Sequence, residues 1–172
     1  TTATNNGIVM DVDGDSVTVT ASVGVVSGSA IWDWSFATTD GPAQNQTVTI
    51  TATDAQNGVT TATFDLVVDN VPPTVNAGSD LTVYRNDLVS FAGSFTDPGT
   101  GDTHTIVWDF GDGSGAADTL TPTHVYPTEG VYTVTLNVTD KDLGFGSDTL
   151  LVTVLNRVPE CSRSDEHTSA LQ

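Results

Sequence analysis

Apolar and polar residues alternate along much of the chain. The pattern is clearest at residues 17–20, 47–51 and 132–138, where Val, Ile, Leu or Tyr takes every second position and Thr takes most of the others. A period of two places alternate side chains on opposite faces of a β-strand, and β-branched residues suit a half-buried pleated surface. No long window repeats apolar residues with the i, i+3, i+4, i+7 spacing of a helix. We therefore predict strands throughout and essentially no helix.

Glycine, proline, asparagine and aspartate separate the predicted strands at short intervals. The turn signals are Asp13-Gly14, Asp40-Gly41-Pro42, Asn57-Gly58, Asp97-Pro98-Gly99 and Gly111-Asp112-Gly113. Short alternating strands with such turns are typical of antiparallel β-sandwiches. The predicted fold class is all-β, with immunoglobulin-like sandwiches.

An internal repeat divides the chain. Residues 47–70 match residues 133–156 after a shift of 86 positions, and Ile31-Trp32-Asp33-Trp34 matches Val107-Trp108-Asp109-Phe110 after a shift of 76. Each copy has a size that folds as a small domain. We predict two tandem domains, at residues 1–71 and 72–158, joined near Pro72-Pro73. The first is expected to be truncated at its N-terminus, because no counterpart of the opening strand of the second copy precedes Ile8.

Acidic residues dominate the charge, with 22 Asp and Glu against 4 Lys and Arg. Each predicted domain carries the excess, with 8 acidic and no basic residues in 1–71 and 11 acidic and 3 basic residues in 72–158. Such a chain lacks the basic clusters that bind nucleic acid, and no apolar run is long enough for membrane insertion. A single cysteine, Cys161, excludes an internal disulfide.

The last residues break the pattern. Residues 162–172 show no alternation, and they resemble the in-frame translation of a sequencing adapter. We therefore expect residues 159–172 to be a non-native or disordered tail.

Four ordered motifs carry a family resemblance. They are Trp108-Asp109-Phe110-Gly111-Asp112-Gly113-Ser114, Pro122-Thr123-His124-Val125-Tyr126, Gly130-Val131-Tyr132-Thr133-Val134 and Val138-Thr139-Asp140. Residues 72–158 thereby resemble the polycystic kidney disease (PKD) domain, and residues 1–71 resemble a shortened PKD-like or immunoglobulin-like relative. The resemblance implies a seven-stranded β-sandwich of extracellular and cell-surface proteins, often found in tandem.

Several oxygen-bearing side chains are candidates for a calcium site. Asp11, Asp13 and Asp15 lie within five residues around Gly14, although position twelve of the loop is Ser22 rather than the Glu of an EF-hand. In the second domain, Asp97 and Asp102 precede the tryptophan strand, and Asp140 and Asp142 end a later one.

The PKD resemblance implies calcium between that loop, the Val-Thr-Asp end and the opening strand, with Asn70 or Asn76 as a further ligand. The complete candidate set is Asp11, Asp13, Asp15, Asp54, Asn70, Asp97, Asp102, Asp140 and Asp142. The alternative is that these carboxylates are ordinary turn and surface residues that keep the protein in solution.

Catalysis has little support in the sequence. His104, His124 and His167 accompany no recognisable nucleophile motif, so we predict that the chain is not an enzyme. The tryptophans Trp32, Trp34 and Trp108 are expected in the cores, while a sugar-binding aromatic platform is their alternative role.

These features favour a spacer or stalk within a larger secreted or cell-surface protein, either adhesin-like or an extracellular enzyme. Its partners would be neighbouring domains of the same polypeptide. The alternative is a module that binds a glycan or protein ligand through loops or an exposed sheet face. An exposed apolar or aromatic patch would favour that alternative.

Overall fold

The computed structural model describes residues 1–159, and this part of the chain contains strands and no helix. The predicted tail lies outside the described residues from residue 160 to residue 172, a range that includes Cys161 and His167. The first six strands are β1 (Thr2–Ile8), β2 (Thr18–Ala21), β3 (Val25–Gly28), β4 (Ile31–Ala37), β5 (Gln46–Thr53) and β6 (Val59–Leu66). The others are β7 (Thr74–Asn76), β8 (Leu81–Tyr84), β9 (Leu88–Ser90), β10 (Ser94–Thr96), β11 (His104–Asp109), β12 (Gly115–Ala117), β13 (Thr123–Val125), β14 (Gly130–Asp140) and β15 (Phe145–Leu155).

These strands confirm the predicted all-β, immunoglobulin-like fold class. Two three-stranded sheets have the orders β1-β4-β3 and β2-β5-β6. A five-stranded sheet has the order β12-β11-β14-β15-β8, and β7 pairs with β10 and β9 with β13 in two-stranded sheets. Within residues 1–159, no helix is long and apolar enough to cross a membrane.

The chain forms two compact units. The first comprises Thr1–Thr74, Phe95–Thr105 and Val138–Gly146, and the second comprises Val75–Ser94, Ile106–Asn137 and the residues from Ser147 onward. The domain boundaries at 1–71 and 72–158 stay predictions.

The core of the first unit contains both of its tryptophans. Trp34 is 1% exposed, packs edge-on against Phe64 with ring centroids 5.0 Å apart, and donates its indole N–H to the Val23 carbonyl oxygen at 2.6 Å. Trp32 is also buried, with Val48 in the same cluster. Alternation explains this core, because Trp32 and Trp34 share one face of β4 while Asp33 between them is exposed.

The second unit is built around a run of buried rings. Phe91 packs against Trp108 and Phe110 with centroids 5.4 and 5.3 Å apart. His124 stacks on Phe110 at 4.3 Å, and Tyr126 meets the edge of His124 at 4.6 Å. The structure therefore confirms that Trp32, Trp34 and Trp108 are core residues, and none of them is exposed enough to serve as a sugar-binding platform.

The sequence match between the two tryptophan strands does not extend to their topology. The strand β11, which carries Trp108, pairs with β14, whereas β4 pairs with β1 and β3 and is separate from the sheet of β5. The indole N–H groups of the two strands also have different hydrogen-bond partners. Trp34 bonds a carbonyl 11 residues before it, and Trp108 bonds that of Thr119, 11 residues after it. By chain order and pairing, β2, β5 and β6 correspond instead to β11, β14 and β15.

The Gly111-Asp112-Gly113 turn places two glycines in the left-handed region, with φ of 77° and 89°. A Cβ on Gly111 would overlap the carbonyl oxygen of Thr133, whereas a Cβ on Gly113 would meet nothing within 4 Å. Both positions thus favour glycine for conformation, but only Gly111 also needs it for space.

The two glycines therefore form a matched pair for mutation. Gly113→Ala should lower the free energy of unfolding by about 1–2 kcal/mol, the cost of a left-handed residue with a side chain. Gly111→Ala should lower it by about 1–3 kcal/mol more, because the added methyl group meets backbone that cannot easily move. Urea unfolding of the full chain measures both, and equal losses would contradict the packing at Thr133.

The carboxylate of Asp112 lies within this turn. It accepts hydrogen bonds from the backbone N–H and hydroxyl of Ser114 at 3.0 and 2.6 Å, and its Oδ2 lies 2.7 Å from His124 Nε2. Partial burial acts to raise the pKa of Asp112, but the bonds from Ser114 and His124 outweigh it and hold the pKa below its ordinary value of 3.8.

A lowered folded-state pKa means that ionised Asp112 stabilises the fold at pH values above 3.8, and that this stability is lost as the pH falls through the lowered pKa. An NMR titration of the Asp112 carboxyl carbon should give a midpoint below 3.8. The stability advantage of the native chain over Asp112→Asn should shrink across the same range. A midpoint at or above the ordinary value would show that the hydrogen bonds do not outweigh burial.

Candidate metal centre

Asp140 ends β14 and organises the turn that follows. Its Oδ1 accepts the backbone N–H groups of Asp142 and Gly144, both at 2.8 Å, and its own N–H donates to the Gly144 carbonyl oxygen at 3.0 Å. Leu143 takes the left-handed conformation in this turn, with φ of 71°. These bonds fix the carboxylate, so that Oδ2 is left to face Asn70.

Asp97 and Asp102 are fixed by the loop between β10 and β11. Asp97 Oδ1 accepts the N–H of Gly99 at 2.7 Å, and its Oδ2 lies 2.8 Å from His104 Nε2. The N–H of Asp102 donates to the Gly99 carbonyl oxygen at 3.0 Å. A tight turn around Gly99 therefore brings the two carboxylates together.

These segments bring three carboxylates to one place. Oxygens of Asp97, Asp102 and Asp140 all lie within 4.8 Å of one another, and the side chains of Asp97 and Asp102 are 2% and 4% exposed. Two like charges about 4 Å apart repel by roughly 1 kcal/mol in water and roughly 4 kcal/mol at the effective dielectric near a protein surface. The arrangement is thus costly unless positive charge accompanies it.

Asn70 supplies a further oxygen. Its Nδ2 donates to Asp140 Oδ2 at 3.0 Å, which orients the amide and leaves Asn70 Oδ1 buried with no hydrogen-bond partner among residues 1–159. Asp102 Oδ2 is likewise buried and unpartnered in the described part of the chain. Unpaired buried acceptors of this kind need an explanation, and a cation is one. The donor set is entirely oxygen, which is what calcium and other hard cations prefer.

Asp140 is suited to bind as an anion. Its burial acts to raise its pKa, but the hydrogen bonds from Asn70, Gly144 and Asp142 outweigh this and keep the pKa below its ordinary value. The carboxylate is therefore ionised at neutral pH.

A second group of carboxylates shares Asp102. Oxygens of Asp40, Asp102 and Asp142 also lie within 4.8 Å of one another. The Lys141 ammonium donates to Asp102 Oδ1 and to Asp142 Oδ2, and these bonds raise the pKa of Lys141 above its ordinary value. Asp40 and Lys141 were absent from the sequence-derived candidates, because the sequence marked Asp40 only as a turn residue and gave no sign that a lysine lies among the ligands.

The acidic loop of the first predicted domain has a different arrangement. Asp11 Oδ1 accepts the backbone N–H groups of Asp13 and Gly14, both at 3.1 Å. A hydrogen bond between the two carboxyl groups lowers the pKa of Asp11 and raises that of Asp13. Neither three-carboxylate group found within residues 1–159 includes Asp11, Asp13, Asp15 or Asp54.

Asp54 nevertheless repeats the turn of Asp140. Its Oδ1 accepts the N–H groups of Gln56 and Gly58 at 2.8 and 2.7 Å, and its N–H donates to the Gly58 carbonyl oxygen at 3.0 Å. Asp11 and Asp54 line a common surface pocket of about 270 Å³. The turn is thus repeated, but the cluster of carboxylates is not.

The remaining candidates are accounted for by local bonds. Asn76 Oδ1 accepts the N–H of Gly78 at 2.8 Å, so Asn70, and not Asn76, is the asparagine beside the carboxylates. His104 and His124 bond Asp97 and Asp112, respectively.

Comparisons with known proteins identify the second part of the chain. Residues 70–154 match the family model of the PKD domain. A microbial collagenase of Vibrio alginolyticus is 36% identical over 77 residues, which cover 45% of this chain and 9% of the collagenase. The chain thus corresponds to less than a tenth of that relative.

Two solved structures are similar over about half of the chain. The PKD1 domain of Vibrio anguillarum Epp is 26% identical with a TM-score of 0.42, and the match covers 52% of this chain and 100% of that one. A carbohydrate-binding module of the β-sandwich superfamily is 30% identical with a TM-score of 0.45, and the match covers 51% of this chain and 36% of that one. With the four motifs, the family match confirms that residues 70–154 are a PKD domain, which is a non-catalytic type of module.

Proposed function

We propose that this PKD domain and the β-sandwich before it are extracellular spacer modules of a larger secreted or cell-surface protein, and that calcium stiffens them. Their role is mechanical, since they hold a neighbouring domain of the same polypeptide at a distance. The observation that carries the proposal is the family match at residues 70–154, together with its place in the collagenase, where the similar segment is 9% of a longer chain.

The interior of the modules supports a structural role. The large aromatic side chains Trp34, Trp108 and Tyr126 are each 1% exposed, and the Tyr126 hydroxyl donates to the Phe110 carbonyl oxygen at 3.0 Å. His104 and His124 each form a hydrogen bond with a carboxylate. Within residues 1–159, neither forms one with a serine or cysteine side chain. The contacts of these aromatic and histidine side chains support a role in packing the fold and not in catalysis.

Calcium would be held by Asn70 Oδ1 with the carboxylates of Asp97, Asp102 and Asp140. The fit rests on the all-oxygen donor set and on the buried, unpartnered Asn70 Oδ1. The ion would supply positive charge and join three chain segments that are distant in sequence. Backbone N–H groups already orient Asp97 and Asp140, so little ordering of the loops would be required on binding.

Thermal unfolding of the full chain with calcium and with chelator tests this site. Calcium that binds only the folded state should add about 2.7 kcal/mol to the free energy of unfolding at a free concentration of about 100 times Kd. Asp97→Asn should reduce the shift. Asp80→Asn is the matched control and should retain it, because Asp80 also accepts a backbone N–H, from Leu151 at 2.8 Å, but lies outside the cluster. Identical curves with calcium and chelator would refute the calcium site.

A ligand-binding role is the second candidate, and one observation favours it. Ile8 and Ile31 face each other in the β1–β4 pairing and are 69% and 71% exposed, and Met10 nearby in sequence is also exposed. The two exposed isoleucines lie side by side, and Ile8 and Met10 line a common surface pocket. Exposed apolar patches of this kind mark interaction surfaces in many proteins.

A glycan array probed with the full chain separates the two candidates. The spacer function predicts no specific hit. A hit that Ile31→Ser abolishes and that Val131→Ser leaves intact would favour the ligand-binding module, because Val131 is similarly exposed but belongs to the second compact unit.

A further inference from the structure

We infer that the first compact unit binds an extended β-strand of a partner polypeptide in the groove between β1 and β6. The inference goes beyond the spacer role and is independent of the proposed calcium site. β1 ends the sheet β1-β4-β3 and β6 ends the sheet β2-β5-β6, so within residues 1–159 each strand has a neighbour on one side only. The unpaired N–H and C=O groups of such edges are a template for a further strand.

The side of β6 that faces the core is uncovered. In its pairing with β5, Ala62 lies opposite Ile50 and Thr60 opposite Ala52. Directly paired residues of antiparallel strands lie on the same face of a sheet, and Ile50 and Ala52 are 3% and 5% exposed. Ala62 and Thr60 are nevertheless exposed. A cavity of about 250 Å³ between them and Ile8 of β1 opens the sandwich at this edge.

The second unit shows what covers the corresponding edge. β15, the counterpart of β6, pairs in parallel with β8, where Val152 lies opposite Leu81 and Val154 opposite Val83. Val152 and Val154 are 0% and 2% exposed. In the described part of the chain, β6 has no such neighbour. The occupant that this edge fits is therefore an extended strand parallel to β6.

The groove continues along β6 to the place where that strand would pair. The shift of 86 positions places residues 152–155, which pair with β8, on residues 66–69. A second cavity, of about 350 Å³, lies at this end and is lined by residues that include Thr2, Ala3, Val67 and Val68. A strand that enters near Ile8 and leaves near Val67 would run antiparallel to β1 and parallel to β6.

Charge determines which kind of strand fits. Asp11 and Asp54 line a pocket that adjoins the Ile8 cavity and shares Met10 with it. Val59, where β6 begins, lines the same pocket, so the N-terminal end of a strand parallel to β6 would lie here. Residues 1–71 contain 8 acidic and no basic residues, and a second copy of this unit would be repelled. The partner is thus a strand of alternating apolar residues with a basic N-terminal end.

Residues 74–84 of the chain provide the probe, because they contain β7 and β8. A fluorescein-labelled peptide of this sequence, added to the full chain, should bind saturably in fluorescence anisotropy, with one peptide per chain. A lysine added before Thr74 should tighten binding about two- to fivefold at low salt, the effect of one exposed ion pair. Leu81→Asp in the peptide should weaken binding, because it places a charge at a core-facing position.

Variants of the chain locate the bound peptide. Ala62→Asp and Met10→Asp each place a carboxylate in the groove at an exposed position, and each should weaken binding about tenfold or more, because the peptide would bury an unpaired charge. Thr63→Asp is the matched control. Thr63 is the next residue of β6 and lies opposite Thr49, on the other face of the sheet, so this variant should retain the native affinity.

No binding at millimolar peptide would overturn the inference, as would binding that Ala62→Asp and Met10→Asp leave unchanged. A chain that dimerises by itself, and that Ala62→Asp returns to the monomer, would also overturn it, because a second copy would then close the groove. The calcium-dependent unfolding experiment is unaffected by any of these outcomes.

Discussion

The repulsion between buried carboxylates around Asp102 is the constraint on which the functional part of this structure depends. Two turns, one around Gly99 and one after Asp140, direct carboxylates into the same small volume, and the backbone N–H groups of Gly99, Asp142 and Gly144 hold them there. Those hydrogen bonds stabilise each anion singly and do nothing to reduce the repulsion between anions. Lys141 compensates one charge. The remaining repulsion has no compensation from another lysine or arginine of residues 1–159 in this cluster, and it is the reason for proposing a cation at this place.

The two Asp turns show what separates a local motif from a site. Asp54 and Asp140 make the same backbone bonds, and each is closed by a glycine whose Cβ would meet the aspartate side chain. Only Asp140 has Asn70 and two further carboxylates beside it. In the topology, the loop of Asp11 precedes β2 as the loop of Asp97 precedes β11, so the first predicted domain carries the counterpart of the loop but does not gather its oxygens.

Sequence reasoning succeeded where the information is local. Alternation at residues 47–51 and 132–138 predicted strands, and Val48, Val134 and Leu136 are indeed fully buried. It could not locate the tryptophan strands, because Trp32-Asp33-Trp34 and Trp108-Asp109-Phe110 have the same alternation. The strand of Trp108 nevertheless pairs with β14, while the strand of Trp32 lies outside the sheet of β5. The clustered aspartates supplied Asp97, Asp102 and Asp140 as candidates, the resemblance to PKD domains added Asn70, and the structure brings these four side chains together. Neither signal indicated Asp40, because a turn signal does not reveal that a side chain lies beside a loop some sixty residues later.

The proposed calcium site places a cation against the buried oxygens around Asp102. The most direct measurement is an anomalous-difference electron density map from a crystal of the full chain grown in calcium. We expect a peak within bonding distance of Asn70 Oδ1 and of the carboxylates of Asp97, Asp102 and Asp140. A calcium-saturated crystal with only water and the Lys141 ammonium around these oxygens would contradict it.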